Sequence, residues 1–234
     1  MGARSSPSLS PSPMHCLRGV IMSVRIVTIE DVHAAEEVVR PHVSAAPLIR
    51  SYELERALGL PESRRVWLKD YGWTPSGSFK CLGAVSWMAN NLERIGNRPV
   101  AAHSSGNFAS GSAYAGMRFN RRVIVVMPQT APQVKFQRTR AFGAEVRTYN
   151  IARDHLTGER DRLTREIVAR EEAVQASPYD DPHVIAGNGV GALEIVSELR
   201  REGRTVSHFF CPVNGGGLMA GQGTSTKREN GGIP

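Results

Sequence analysis

Val100-Ala101-Ala102-His103-Ser104-Ser105-Gly106-Asn107-Phe108-Ala109-Ser110-Gly111, residues 100–111, is the stretch on which the reading of the fold turns. It starts as a short apolar run suited to a strand, passes through small polar residues, and enters a helical pattern that continues to Met117. A strand that feeds a helix through a tight turn is half of a βαβ unit. The same alternation extends outward on both sides. β-rich runs stand at Val66-Trp67-Leu68, Val123-Ile124-Val125-Val126-Met127, Glu145-Val146-Arg147-Thr148-Tyr149 and His208-Phe209-Phe210-Cys211-Pro212-Val213. Helical patterns cover residues 31–40, 52–58, 80–94, 107–117, 134–142, 156–172 and 189–201. Strands separated by helices predict an α/β protein built on parallel sheet.

Bulk properties remove several alternatives. The 234 residues, 41% of them hydrophobic, suffice for one sizeable core or a large domain with a smaller one inserted. No apolar run reaches membrane-spanning length and the start lacks a secretory pattern, so no membrane partner is expected and the cytoplasm is the default location. Cys16, Cys81 and Cys211 have no CxxC spacing, which predicts neither a disulfide framework nor a metal site. The net charge of +7 is spread over scattered arginines. Without a basic stripe or recognition motif, it does not predict nucleic-acid binding. Residues 1–22 have the Ser-, Pro- and Arg-rich composition of a disordered leader, and Met22 would serve equally well as a start. Thr28 and the acids Glu30 and Asp31 then read as a capped helix opening.

Three constellations carry chemistry. In Thr74-Pro75-Ser76-Gly77-Ser78-Phe79-Lys80 a lysine stands behind small residues at a turn-to-helix junction. There a positive helix end and apolar neighbours disfavour the ammonium and favour the neutral amine that condenses with an aldehyde. Judged alone, such a lysine is ordinarily a solvated surface charge. In residues 103–111 the amides and hydroxyls would form an anion-accepting turn suited to a substrate carboxylate, although Asn107 and the serines could simply cap the helix. In Pro212-Val213-Asn214-Gly215-Gly216-Gly217-Leu218, glycines clear the way for successive amides to surround a phosphate. The alternatives are a flexible turn or a dinucleotide loop. The second is also suggested by Gly187-Asn188-Gly189-Val190-Gly191, but neither glycine stretch fits GxGxxG with a following acid.

Taken together and in this order, the chain resembles the fold-type II pyridoxal phosphate (PLP) enzymes, the tryptophan synthase β-like fold, and among them the threonine dehydratase and serine racemase group. The matching pieces are Ala46-Pro47-Leu48-Ile49-Arg50, Val66 to Asp70, Gly77-Ser78-Phe79-Lys80, Ser104-Ser105-Gly106-Asn107, Pro178 to Gly187, Ala192-Leu193-Glu194-Ile195 and the glycine loop. The resemblance runs from about Thr28 to Gly221. It implies two parallel-sheet domains: a large one from residues 23–80 and 149–221, incomplete here, and a small one from 81–148. Residues 222–234 are left as an irregular tail.

The resemblance also implies roles. Lys80, beside Phe79, would hold PLP as a Schiff base and move the Cα proton of an amino acid. Asn107 would hydrogen-bond the ring's phenolic oxygen, and Ser104, Ser105, Gly106, Asn107 and Phe108 would grip the substrate carboxylate. Asn214, Gly215, Gly216, Gly217 and Leu218 would cradle the phosphate. Ser105 stands where serine racemase-like members place a second acid/base group, opposite the lysine.

The expected reaction is dehydration and deamination of L-threonine, L-serine or a similar β-hydroxy amino acid to a 2-oxo acid and ammonia, by a homo-oligomer if complete. The alternatives are a serine racemase-like isomerase and a truncated remnant that only binds. The chain departs from the family pattern at Phe108, commonly His; at Cys81-Leu82-Gly83, which lacks a family arginine; and at Asn214, where four glycines are common. The family's later region, with its divalent-cation site and the hydroxyl or thiol at the pyridine nitrogen, has no counterpart.

Overall fold

Alternation of side chains along the strands at residues 100–103 and 123–128 decides what each face of the main sheet buries. The computed structural model describes residues 25–230. The leader expected at 1–22 and the end of the tail, 231–234, lie outside them. Strands β3 (Val100–His103), β4 (Val123–Pro128), β5 (Glu145–Tyr149) and β6 (Val174–Gln175) form a four-stranded sheet of order β5-β4-β3-β6. Every pairing in it is parallel. Val100, Ala102, Val123, Val125 and Met127 point into the largest core cluster. Ala101, Ile124 and Val126 point the other way, toward Tyr149 and Ile167. Both faces are therefore apolar, as a parallel sheet covered on both sides requires. The expected α/β class with a parallel sheet is what the chain forms.

The first face is covered by α3 (Lys80–Asn90) and α5 (Asn107–Arg118), the second by α8 (Glu159–Glu171). α6 (Gln133–Ala141) lies between β4 and β5 in the chain. α1 (Ile29–Val39), α9 (Pro182–Arg201) and α10 (Gly217–Glu229) pack into a helical layer beside α3. A separate antiparallel pair joins β1 (Leu48–Arg50) to β2 (Trp67–Lys69), followed by a 3₁₀ turn at Tyr71–Trp73. The remaining helices are α2 (Tyr52–Ala57), α4 (Leu92–Ile95) and α7 (Ile151–Thr157). No helix among the described residues is long and apolar enough to cross a membrane.

Several elements differ from the sequence reading. The helix expected over 80–94 is divided at Asn91, whose Nδ2 donates to Trp87 O at 2.8 Å. The pattern at 156–172 is divided by Gly158, which ends α7 in the left-handed conformation at φ 56. α9 begins at Pro182 rather than 189, because Asp181 caps it through His183 N at 2.8 Å with proline in the first turn. Gly187 to Gly191 are thus inside a helix and form no phosphate loop. Residues 208–213 do not form a strand, since no strand among the described residues lies beside them to supply a ladder. Residues 222–229, expected as irregular tail, are helical in α10.

The expected partition shifts as well. α8 and β6, assigned above to the large domain with 149–221, pack against or pair with the sheet that contains β3 and β4. Its strands need that cover on their second face. A second parallel sheet is absent among the described residues.

A buried ion cluster ties the helical layer to the β1–β2 pair. Glu194 on α9 meets Lys69 at 2.5 Å and Arg40 at 2.5 Å, with the Glu194 and Lys69 side chains only 5% and 6% exposed. The Ala46 amide donates to the same carboxylate at 3.1 Å. Removing one member would leave a buried charge without its partner.

α3 and α9 approach through glycine. A Cβ at Gly187 would lie 2.6 Å from Ser86 Cβ and 2.7 Å from Leu82 O. Gly187→Ala should therefore lower stability: overpacking costs about 1–3 kcal/mol, against a helix-propensity gain of up to about 1 kcal/mol. Gly223→Ala on α10, with nothing nearer than Met219 Cε at 3.6 Å, should be neutral or stabilising. Urea unfolding midpoints of the two variants against the parent check the contrast.

Candidate functional site

The order β5-β4-β3-β6 reverses direction at β3, because the chain moves from β3 outward through β4 and β5 and then returns to β6 on the other side. In open α/β sheets ligands bind at such a switch point, outside the carboxyl ends of the strands. Two of the segments singled out from sequence leave the sheet there. β3 runs into the Ser104–Gly106 turn, where Ser104 Oγ accepts from Gly106 N at 3.2 Å. β6 runs into Ala176, whose amide is still held by Ala101 O at 2.9 Å, and then into Pro178 and Tyr179.

Lys80, the first residue of α3, reaches the same place from the third segment. Its Nζ donates to Pro178 O at 2.8 Å. It lies 4.8 Å from the ring centre of Tyr179, 5.3 Å from that of Phe79 and 5.8 Å from that of Phe108. Loss of water around the amine holds its pKa below the ordinary lysine value. The approach is made possible by Gly111 on α5, where a Cβ would come within 3.0 Å of Lys80 O. Gly77, at φ +67, turns the chain just ahead of Lys80, and the Arg138 guanidinium fills the space its side chain would need.

The glycine loop meets the site through Tyr179. A Cβ at Gly215 would strike the Tyr179 ring at 2.4 Å, and one at Gly217 would strike Tyr179 O at 2.4 Å. Gly216, at φ +84, has nothing within 4 Å of its would-be Cβ and is the N-cap of α10 without any side-chain cap. The first amides of that 13-residue helix are therefore open to an anion. Asn214 and Gly215 are exposed, and Leu218 is buried.

The outcome for the expected residues is uneven. Lys80, Phe79, Phe108, Gly215 and Gly217 converge through Pro178 and Tyr179. Asn107 faces a different neighbour: its Oδ1 accepts from Lys135 on α6. Ser105 is exposed, and its hydroxyl has no hydrogen-bond partner among the described residues. Sequence reasoning missed Tyr179 as the link to the glycine loop, and it missed Lys135 and Arg138 altogether. Tyr179 lay inside a quoted motif, but the lysine and arginine carry no local signal in a basic surface-type helix.

The charge of the site is one-sided. Lys80 donates to Pro178 O, Lys135 to Asn107 Oδ1, and Arg138 to Ser76 O at 2.8 Å. All three acceptors are neutral, and none of the three cations is ion-paired among the described residues. An uncapped helix start, an open cradle at Gly216 and three cations without counter-ions suit an anionic group. A desolvated lysine among three aromatic rings suits an aldehyde. PLP, with its phosphate, phenolic oxygen and aldehyde, fits this donor set.

Comparison with known proteins points the same way. Residues 39–234 match the family model "Pyridoxal-phosphate dependent enzyme". The catabolic L-threonine dehydratase of Staphylococcus aureus is 33% identical over 211 residues, covering 90% of this chain and 58% of that protein. The structure of the processed form of threonine deaminase isoform 2 from Solanum lycopersicum superposes with TM-score 0.74 at 32% identity, covering 86% of this chain and 54% of the other. A PLP-dependent aspartate racemase structure gives TM-score 0.78 at 30% identity, with 86% and 59% covered. The chain thus spans less than two thirds of the length of each of these relatives.

A lysine with a depressed pKa is neutral, and therefore reactive, over a wider pH range than a free one. The pH midpoint for reductive methylation of Lys80, followed by peptide mass spectrometry in the cofactor-free chain, should lie below the value of about 10.4 for an unperturbed lysine. A midpoint at or above that value would show that its surroundings leave the amine solvated.

Proposed function

Because this chain belongs to the pyridoxal-phosphate dependent enzyme family, we propose that it is a deaminating lyase for L-threonine, L-serine or a similar β-hydroxy amino acid. The β-hydroxyl leaves as water, and hydrolysis then yields a 2-oxo acid and ammonia. The observation that carries the reading is Lys80. It is a desolvated amine at the switch point of a parallel sheet, bracketed by aromatic rings and joined through Tyr179 to an uncapped helix start. The dehydratase identity of relatives such as the staphylococcal protein supports the substrate class. The proposal extends to a cytoplasmic homo-oligomer acting on a small amino acid.

Lys80 is assigned the covalent attachment and the transfer of the Cα proton, for which burial favours the neutral base. When bound, PLP supplies an electron sink for the charge left at Cα. Gly215, Gly216, Gly217 and Leu218 would donate amides to its phosphate, with Asn214 at the rim, and Asn107 Nδ2 would donate to its phenolic oxygen. The turn from Ser104 to Phe108 holds the substrate carboxylate, which orients the Cα–H bond toward Lys80. Phe79, Phe108 and Tyr179 keep water from the amine.

Ser105 supports a second reading. A hydroxyl on the carboxylate turn can return a proton to the opposite face of Cα, and the aspartate racemase superposition favours keeping racemisation beside elimination.

Purified chain mixed with PLP should show the visible absorbance of lysine-bound cofactor, and Lys80→Ala should abolish it. Absence of the band in the parent, or its persistence in Lys80→Ala, overturns the assignment. With L-serine or L-threonine, 2-oxo acid should form, and a band without turnover would mark a binding protein. Ser105→Ala should lower racemisation by roughly 10²–10⁴-fold, the usual range for an acid/base group, and leave elimination largely intact. Chiral chromatography alongside the oxo-acid assay reads both.

A further inference from the structure

One helix outside the PLP-facing motifs addresses both turns that flank Lys80. From the first turn of α6, Lys135 donates to Asn107 Oδ1. One turn later Arg138 donates to Ser76 O at 2.8 Å and fills the space over Gly77. Lys135 lies beside the carboxylate turn: a Cβ at Gly106 would stand 3.8 Å from Lys135 Cε, an ordinary contact. Thr139, on the same helix, places Oγ1 3.4 Å from Ser110 Oγ on α5 and fastens α6 to the helix that carries Asn107.

We propose that Lys135 is a positioning residue that selects the orientation of the Asn107 amide and thereby makes Asn107 a hydrogen-bond donor to the bound cofactor. This role rests on the PLP reading above. A carboxamide can turn either its oxygen or its nitrogen toward a ligand. An ammonium has three donors and no acceptor, so it can hold only the oxygen. With Oδ1 held by Lys135, Nδ2 is the atom left for the site. In the opposite orientation Oδ1 would face the phenolic oxygen of PLP, acceptor against acceptor, and Nδ2 would face a cation. Partial burial and the neighbouring Arg138 charge hold the Lys135 pKa below its ordinary value. The residue therefore sits in this place at an electrostatic cost, and the Asn107 carbonyl is what offsets it.

The test uses Lys135→Met, which keeps length and loses the donor, and Lys135→Arg, which keeps charge and donors. With PLP bound, Lys135→Met should move visible absorbance of the lysine-bound cofactor toward the near ultraviolet, because the phenolate loses a donor. PLP affinity should fall roughly tenfold, the scale of one hydrogen bond. Lys135→Arg should restore both. A packing role alone would leave the band in place and would not be rescued by arginine.

A second measurement needs no cofactor. In the cofactor-free chain, a double-mutant cycle on thermal unfolding should show that Lys135→Met costs less in an Asn107→Ala background than in the parent. An unchanged band in Lys135→Met overturns the proposal, as does an additive cycle. If the parent binds no PLP, the cofactor reading fails and the cycle still decides whether Lys135 holds Asn107.

Discussion

The architecture around the site depends on one close approach, that of α5 to the backbone of Lys80 at Gly111. A Cβ at that position would come within 3.0 Å of Lys80 O and 3.2 Å of Cys81 N, closer than nearly all real contacts. With hydrogen there, α5 can lie against the start of α3, and the turn that opens α5 stands beside the lysine that opens α3. The two segments are far apart along the chain. Their meeting is a consequence of helix packing over one sheet face, where α3 and α5 share a core with Val100, Ala102, Val125 and Met127. The geometry of the candidate site and the packing of the core therefore meet in the same contact. A bulkier residue at 111 would push apart the two turns before it touched any ligand.

The sequence was most legible where chemistry and period coincide. The apolar runs at 100–102 and 123–127 alternate between two covered faces, so both their strand character and their parallel class followed from composition. Lys80, the Ser104–Asn107 turn and the glycine loop were each weak signals locally, and their order along strand–turn–helix junctions gave them weight.

What stayed illegible has physical reasons. α10 buries Leu218, Gly221, Gln222, Ser225 and Thr226, a helical spacing written almost entirely in small and polar residues, so a hydropathy pattern cannot reveal it. That face is held by hydroxyl bonds, such as Ser225 Oγ to Gly189 O at 3.0 Å, and by the glycine contact of Gly221 with Ile185 O. The run at 208–213 erred in the opposite direction. Its residues favour strand, yet Phe210 is 91% exposed, because β-propensity expresses packing against neighbours and no strand among the described residues stands beside it. Lys135 and Arg138 were illegible for a third reason: their importance comes from the tertiary position of α6, on which a single sequence is silent.

The charge distribution connects these levels. Several cations elsewhere in the chain are answered within the protein: Arg122 by Glu145 and Glu171, Arg50 by Glu55, Lys69 and Arg40 by Glu194. Lys80, Lys135 and Arg138 have only neutral oxygens among the described residues. Lys135 and Arg138 repel one another where water is partly excluded and the effective dielectric is well below that of water. Such an arrangement is tolerated when an anion completes it, and the open helix start at Gly216 adds a fourth positive influence with the same requirement. Part of the chain's excess positive charge, +7 overall, is thus concentrated around Lys80 without counter-ions among the described residues. Lys80, packed among three rings, is the amine for which losing the proton relieves desolvation.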